Sequence, residues 1–144
     1  MTADVDALRA VLARIPYARF LGVQVELFGD EMTAILPFSD HLIGNPTLPA
    51  IHGGVLGAFM EMTALAQLSV AQYAKEGPPT RQPRIVDVTV QYLRSGRPQT
   101  TYARARLNRA GRRIASVYVE AWQAERAAPI ASLQGHFLIS PKEA

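Results

Sequence analysis

Glu61 is the only fixed charge between Ile51 and Ala74, a stretch that reads IHGGVLGAFMEMTALAQLSVAQYA. Burying an unpaired carboxylate costs several kcal/mol or drives its pKa upward. An acid in such a helix is therefore either paired or used. Nine residues ahead of Glu61 the stretch opens on His52-Gly53-Gly54. Amides at a helix start have no intrahelical partner and point outward, so they can hold an oxyanion. Glycine there also lets a ligand come close. A partly buried Glu has a raised pKa and can take up a proton, acting as a base or nucleophile beside an electrophilic carbonyl. Gly54 is the expected amide donor, with Gly53 beside it. For His52 the positive end of the helix favours a neutral ring that orients a carbonyl or holds the preceding loop. His41 falls in a polar loop and His136 opposite the small-residue face of its strand. Three scattered histidines and no cysteine give no expected metal site.

The elements that must position these residues follow from periodicity. Asp4 to Arg14 places Val5, Leu8, Leu12 and Ile15 at helical spacing, and Pro16 ends that short N-terminal helix. Gly22 to Phe28 and Glu31 to Phe38 read as paired strands about a Gly29-Asp30 turn. Ser39 to Ile51, with Gly44, Pro46 and Pro49, reads as a loop. The apolar helix runs from about Gly54 to Lys75 and stops at Gly77-Pro78-Pro79. Four strands follow: Ile85 to Arg94, Thr100 to Asn108, Arg113 to Ala124 and Ile130 to Ile139. Their inner faces are small (Ala103, Ala105, Ala115, Ala121, Ala131, Gly135), which lets the long helix approach closely. The expected architecture is α+β, one domain over residues 1–144: an antiparallel sheet of about six strands wrapped around one central helix. The outer face keeps Tyr102, Ile114, Tyr118 and Trp122, so self-association is expected.

Composition sets the remaining bounds. The chain is 49% hydrophobic and 19% charged, with a net charge of +3, ordinary for a globular protein. Met1–Arg14 carries Asp4, Asp6, Arg9 and Arg14 and lacks a signal-peptide h-region. Glu61, Thr63, Gln67, Ser69 and Gln72 interrupt the apolar stretch, so a core helix is expected rather than a membrane span. The expected location is the cytoplasm, with no nucleic-acid partner, since the basic residues form no run.

This order of elements resembles the hotdog fold, and His52-Gly53-Gly54-Val55 with an acid at Glu61 resembles PaaI-type acyl-CoA thioesterases. The resemblance spans roughly Phe20 to Ile139. It implies subunits that pair with joined sheets, as a dimer or tetramer, and two active sites at the interface. It implies Glu61 as the catalytic acid of the partner's site, His52, Gly53 and Gly54 as the motif, and Asn45 as the polar residue of the preceding loop. Coenzyme A enters as part of the substrate, with no other cofactor. Its phosphates would suit the basic positions Arg94, Arg97, Arg109, Arg112 and Arg113, with Arg94, Arg112 and Arg113 the candidates. The chain departs from the family in three ways. It has Glu where many members have Asp. The loop LIGNPTLPAIHGG is a residue longer. Thr80 stands near where some members place a helper hydroxyl.

The expected reaction is hydrolysis of a medium-chain or aromatic acyl-CoA, with the carrier, CoA or acyl-carrier protein, left open. Two other readings stand beside it. Asn45-Pro46-Thr47-Leu48-Pro49, with Val55-Leu56 and Glu61-Met62 downstream, faintly resembles a hotdog enoyl-thioester dehydratase or hydratase. A non-catalytic acyl-CoA-binding hotdog protein is the third.

Overall fold

Helix α1 (Val5–Ala13) lays Leu8 and Leu12 into the core. Pro16 then opens a second helix, α2 (Pro16–Leu21), where the sequence suggested only a stop. Proline suits the first helical position, because the N–H it lacks would be unpaired there anyway. Gly22, assigned above to a strand, closes α2 instead. Its φ of 82° is left-handed, and its N–H reaches the Ala18 and Arg19 carbonyls. This computed structural model describes residues 5–28, 31–76 and 82–139. The expected Gly29-Asp30 turn, the Gly77-Pro78-Pro79 stop and Thr80 lie outside them.

Strands β1 (Gln24–Phe28) and β2 (Glu31–Leu36) pair antiparallel. A 3-10 turn at Asp40–Leu42 leads into two very short strands, β3 (Ile43–Asn45) and β4 (Ala50–Ile51), which form a hairpin of their own. The Ser39 to Ile51 segment is thus an ordered hairpin. Helix α3 (Gly53–Glu76) follows. The chain then makes β5 (Arg84–Tyr92), β6 (Thr101–Ala110), β7 (Ile114–Trp122) and β8 (Ala131–Leu138). The main sheet has six antiparallel strands in the order β1-β2-β6-β7-β8-β5, folded against α3. This is the hotdog arrangement.

The strand alternation decides where α3 can sit. Ala103, Ala115, Val117, Val119, Ala121, Ala131, Leu133 and Phe137 turn one face of β6, β7 and β8 inward and are at most 1% exposed. Leu56, Phe59, Met60, Thr63, Ala64 and Ala66 of α3 are buried with them. The helix carries hydroxyls on this buried side at little cost. Thr63 Oγ1 donates to the Phe59 carbonyl at 2.8 Å and Ser69 Oγ to the Leu65 carbonyl at 2.9 Å. By length and composition Gly53–Tyr73 would cross a bilayer, but 61% of that span is buried inside the protein. Gly135 has a different role from the alanines around it. A Cβ there would meet Val88 Cγ1 at 2.8 Å and the Asp87 carbonyl at 3.0 Å, so its smallness admits strand β5 rather than the helix.

The two sheet edges differ. At β1, a short strand, α1 packs alongside. At β5, nine residues long, Ile85, Val86, Val88 and Tyr92 are 38–57% exposed, and Leu93 just beyond is 51% exposed. A long apolar edge of this kind is a template for strand pairing. On the outer face Tyr102 stacks on Trp122, and Arg104 joins β6 to Glu31 (2.6 Å) and Thr33 (2.8 Å) on β2.

Candidate active site

The start of α3 is held by contacts from three segments. The His52 N–H donates to the Leu42 carbonyl at 2.8 Å, fixing the chain just before the helix to the 3-10 turn. The Ile51 N–H donates to the Gly96 carbonyl at 2.8 Å, tying β4 to the β5–β6 connection. That connection is itself braced by Gln123, whose amide group spans Arg97 and Gln99 on one side and Thr101 on the other. Gly44 of β3 lies so close to His52 that a Cβ would meet its Cα at 2.7 Å and its Cβ at 2.8 Å. Replacing Gly44 by Ala should therefore push β3 away from the helix start. We expect a loss of about 1–3 kcal/mol in denaturant unfolding, together with a lower kcat in any reaction the site performs.

His52 caps the helix with both backbone and side chain. Its carbonyl accepts from the Val55 and Leu56 amides at 3.0 and 3.2 Å, and its Nδ1 accepts from the Gly54 N–H at 2.8 Å. An accepting Nδ1 places the ring proton on Nε2. The Gly54 amide, expected above to be the oxyanion donor, is therefore already committed to His52. The Gly53 N–H makes no hydrogen bond among the described residues. It is the first amide of the helix, at the positive end of the dipole, and it is the donor the structure leaves open. Tyr92, at the end of β5, covers the same turn. Its hydroxyl donates to the Gly53 carbonyl at 2.7 Å. A Cβ on Gly53 would lie 3.3 Å from its ring.

Glu61 sits two turns further along α3. It is half-buried, and among the described residues no hydrogen bond or ion pair is made to it. Burial alone raises its carboxyl above the ordinary glutamate value. Gly54, Gly57, Ala58 and Glu61 fall on one helical stripe, and none of them is fully buried. The stripe places three small residues between the helix start and the acid. Eight residues of helix separate Gly53 from Glu61, a rise of about 12 Å. That backbone rise is well beyond direct hydrogen-bond contact between the two groups.

The remaining candidates are dispersed. Asn45 Oδ1 accepts from the Thr47 N–H at 3.0 Å and shapes the β3–β4 turn, which leaves its NH2 group as the available function. Arg112 and Arg113, with Arg109 and His136, line an open cleft of about 740 Å3 at the tip of the β6–β7 hairpin. Arg94 lies at the other end of the sheet, where its Nη1 donates to the Pro129 carbonyl at 2.7 Å. The register pairs Tyr92 with Ala131 at one end of β8 and Ile114 with Leu138 at the other, so roughly 25 Å of strand separates the two groups of arginines in one chain. His41 bridges Ser39 Oγ and the Phe20 carbonyl, each at 2.8 Å, and His136 Nδ1 meets Asp87 Oδ1 at 2.8 Å. Among the described residues no three metal-ligating side chains gather. Sequence reasoning missed Tyr92 and Gly44. The first was visible only as the last residue of an alternating strand, the second only as a glycine in a loop rich in proline.

Comparison with known proteins gives this geometry a family. The sequence pattern of the Thioesterase superfamily matches residues 48–130, which include the helix start, Glu61 and strands β5 to β7. A solved protein from Chromobacterium violaceum is 34% identical, with 96% of this chain and 93% of that chain covered and a TM-score of 0.72. Two more distant structures share the fold. One is a mutant thioesterase from Pseudomonas aeruginosa, at 23% identity and TM-score 0.77, with 99% and 97% covered. The other is a phenylacetic acid degradation-related protein from Ralstonia eutropha, at 20% identity and TM-score 0.72, with 92% and 99% covered. No curated protein matches. With the family pattern covering more than half of its length, the chain belongs to the thioesterase superfamily.

Proposed function

We propose that this protein hydrolyses an acyl-CoA thioester as a homodimer of the PaaI-like kind, with each active site built from two chains. The observation that carries this reading is the pairing of an open helix-start amide at Gly53 with an unpartnered, half-buried Glu61 on the same apolar helix. The thioester carbonyl accepts from the Gly53 N–H. The partner subunit's Glu61 takes the proton of an attacking water, or attacks the carbonyl carbon itself. The tetrahedral oxyanion is held by the amide and the helix dipole; collapse breaks the C–S bond, and the sulfur leaves with the proton that the partner's Glu61 took from the water. After direct attack it leaves as the thiolate, and water then hydrolyses the mixed anhydride to the free acid and the Glu61 carboxylate. A backbone donor at such a point is worth about 10²–10³ in rate.

The second chain supplies what one chain lacks. A two-fold axis through the exposed edge of β5 would extend the sheet and lay the partner's strand antiparallel to this one. It would also bring the partner subunit's Arg112 and the partner subunit's Arg113 toward this chain's Arg94 and helix start. Three cations that lie at opposite ends of one sheet would then face one site, as the phosphates of coenzyme A require. The Asn45 NH2 group, on the hairpin in front of His52, is a further donor for the substrate. The small stripe of Gly54, Gly57 and Ala58 leaves room for an acyl chain.

Hydration or dehydration of an enoyl thioester would need a histidine free to exchange protons across from the acid. His52 has Nδ1 committed to Gly54, which supports hydrolysis instead. The test is thiol release from a panel of short, medium and aromatic acyl-CoAs, with hydration of an enoyl-CoA assayed in parallel. Thiol release with saturation kinetics supports the proposal. Hydration without thiol release would replace it with the hydratase, and tight acyl-CoA binding without either reaction would replace it with a binding protein.

A further inference from the structure

The peptide between Gly53 and Gly54 is gripped at both ends. Its carbonyl accepts from the Tyr92 hydroxyl at 2.7 Å, and its N–H donates to His52 Nδ1 at 2.8 Å. A carbonyl oxygen has two lone pairs, so the Tyr92 bond is compatible with the helical ladder. The two grips come from different parts of the fold. His52 belongs to the segment leading into α3. Tyr92 belongs to β5, where it is paired with Ala131 of β8.

Such a grip answers a specific weakness. Two successive glycines have no Cβ to restrict their dihedrals, so this peptide is the freest in the helix. It is also in the first turn, where amides lack partners. The amide next to it, that of Gly53, is the open donor, and a donor displaced by about 1 Å from its acceptor can lose up to about a hundredfold in rate. Neither glycine has room to be stiffened by a side chain. A Cβ on Gly53 would press on the Tyr92 ring at 3.3 Å, and one on Gly54 would meet His52 Nδ1 at 2.9 Å. Orientation must therefore be imposed from outside.

We infer that Tyr92 is a positioning residue: with His52 it clamps the Gly53–Gly54 peptide, so that the Gly53 N–H stays aimed at the thioester oxygen. The inference rests on the reading of that N–H as the oxyanion donor. The clamp acts on the transition state more than on substrate binding, because the hydroxyl touches the backbone and not the substrate.

Tyr92→Phe removes only the hydroxyl. The expected result is a kcat lower by about tenfold with KM changed by less than about twofold. The Gly54 amide, although bonded to His52, should exchange its hydrogen about tenfold faster, because its peptide is no longer held at the carbonyl. Amides of β7 serve as the reference for any global loss of stability. His52→Ala should lower kcat in the same way. The double variant should be no worse than the worse single one, since both act on a single peptide. Unchanged kcat in Tyr92→Phe, a change in KM alone, or additive losses in the double variant would overturn the clamp. If the wild type releases no thiol from any acyl-CoA, the donor assignment fails on its own. Gly54 exchange then decides the clamp, and exchange unaltered by Tyr92→Phe overturns it.

Discussion

Glu61→Gln is expected to lower kcat for thiol release by about 10²–10⁴-fold while raising the thermal midpoint at neutral pH. The two effects have one cause. Burial raises the Glu61 carboxyl above the ordinary glutamate value, and no partner among the described residues offsets it. The sign follows from linkage. Between the unfolded value and the raised folded value, the folded protein binds more protons than the unfolded chain, so stability falls as pH rises through that window. Above the window the penalty of the buried charge is present in full. Glutamine keeps the shape and removes the charge, so the variant should be the more stable protein wherever the wild type is ionised. Activity follows the opposite course, since a base or nucleophile must be ionised. The rising limb of kcat/KM should therefore lie above the pH at which an ordinary glutamate titrates. Thermal melts and pH–rate profiles of both proteins check this. A variant that is inactive and also less stable would mean that Glu61 is paired in the working protein, and would weaken its assignment as the acid.

Lysine at Val86 and Val88 together should produce a stable but inactive monomer. Both side chains lie on the exposed part of β5, 57% and 38% open to solvent. Like charges facing one another across an antiparallel pair are destabilising, and lysine on an edge strand blocks pairing. With the amide and the acid of each proposed site drawn from different chains, loss of the partner should remove at least about a hundredfold of kcat/KM even though each chain keeps every site residue. Light scattering and the thiol assay on one sample decide the matter. A monomer with full activity would show that one chain carries a whole site, and a dimer that persists would move the interface to another surface.

Much of this fold could be read before the structure, because the signal was periodic. The alternation of Ala115, Val117, Val119 and Ala121 fixed the inward face of β7, and the apolar run with one acid fixed α3. What could not be read was too short or depended on neighbours remote in sequence. Strands β3 and β4 have three and two residues, too few to alternate. Helix α2 begins at a proline, a residue that reads equally well as a stop. The choice of Gly53 over Gly54 turned on a histidine acting as a helix cap, a role that residue preferences assign to Ser, Thr, Asp or Asn. Strand order was also out of reach: β5 precedes β6 in the chain but lies beyond β7 and β8 in the sheet, and nothing local to either strand encodes that.

The spacing along α3 also has a genetic consequence. Gly53 stands at the first helical position, where proline's fixed φ is suitable, so Gly53→Pro would delete the open N–H, at the cost of a shift of a few tenths of an ångström in the Tyr92 ring that lies 3.3 Å from a Cβ there. That variant and Glu61→Gln are each expected to be inactive. When the two are unfolded together and refolded as mixed dimers, one of the two sites would combine an intact Gly53 from one chain with an intact Glu61 from the other. Two dead proteins should then complement each other, and the corresponding alleles should rescue one another in one cell. A single chain that held its own complete site would show no such rescue.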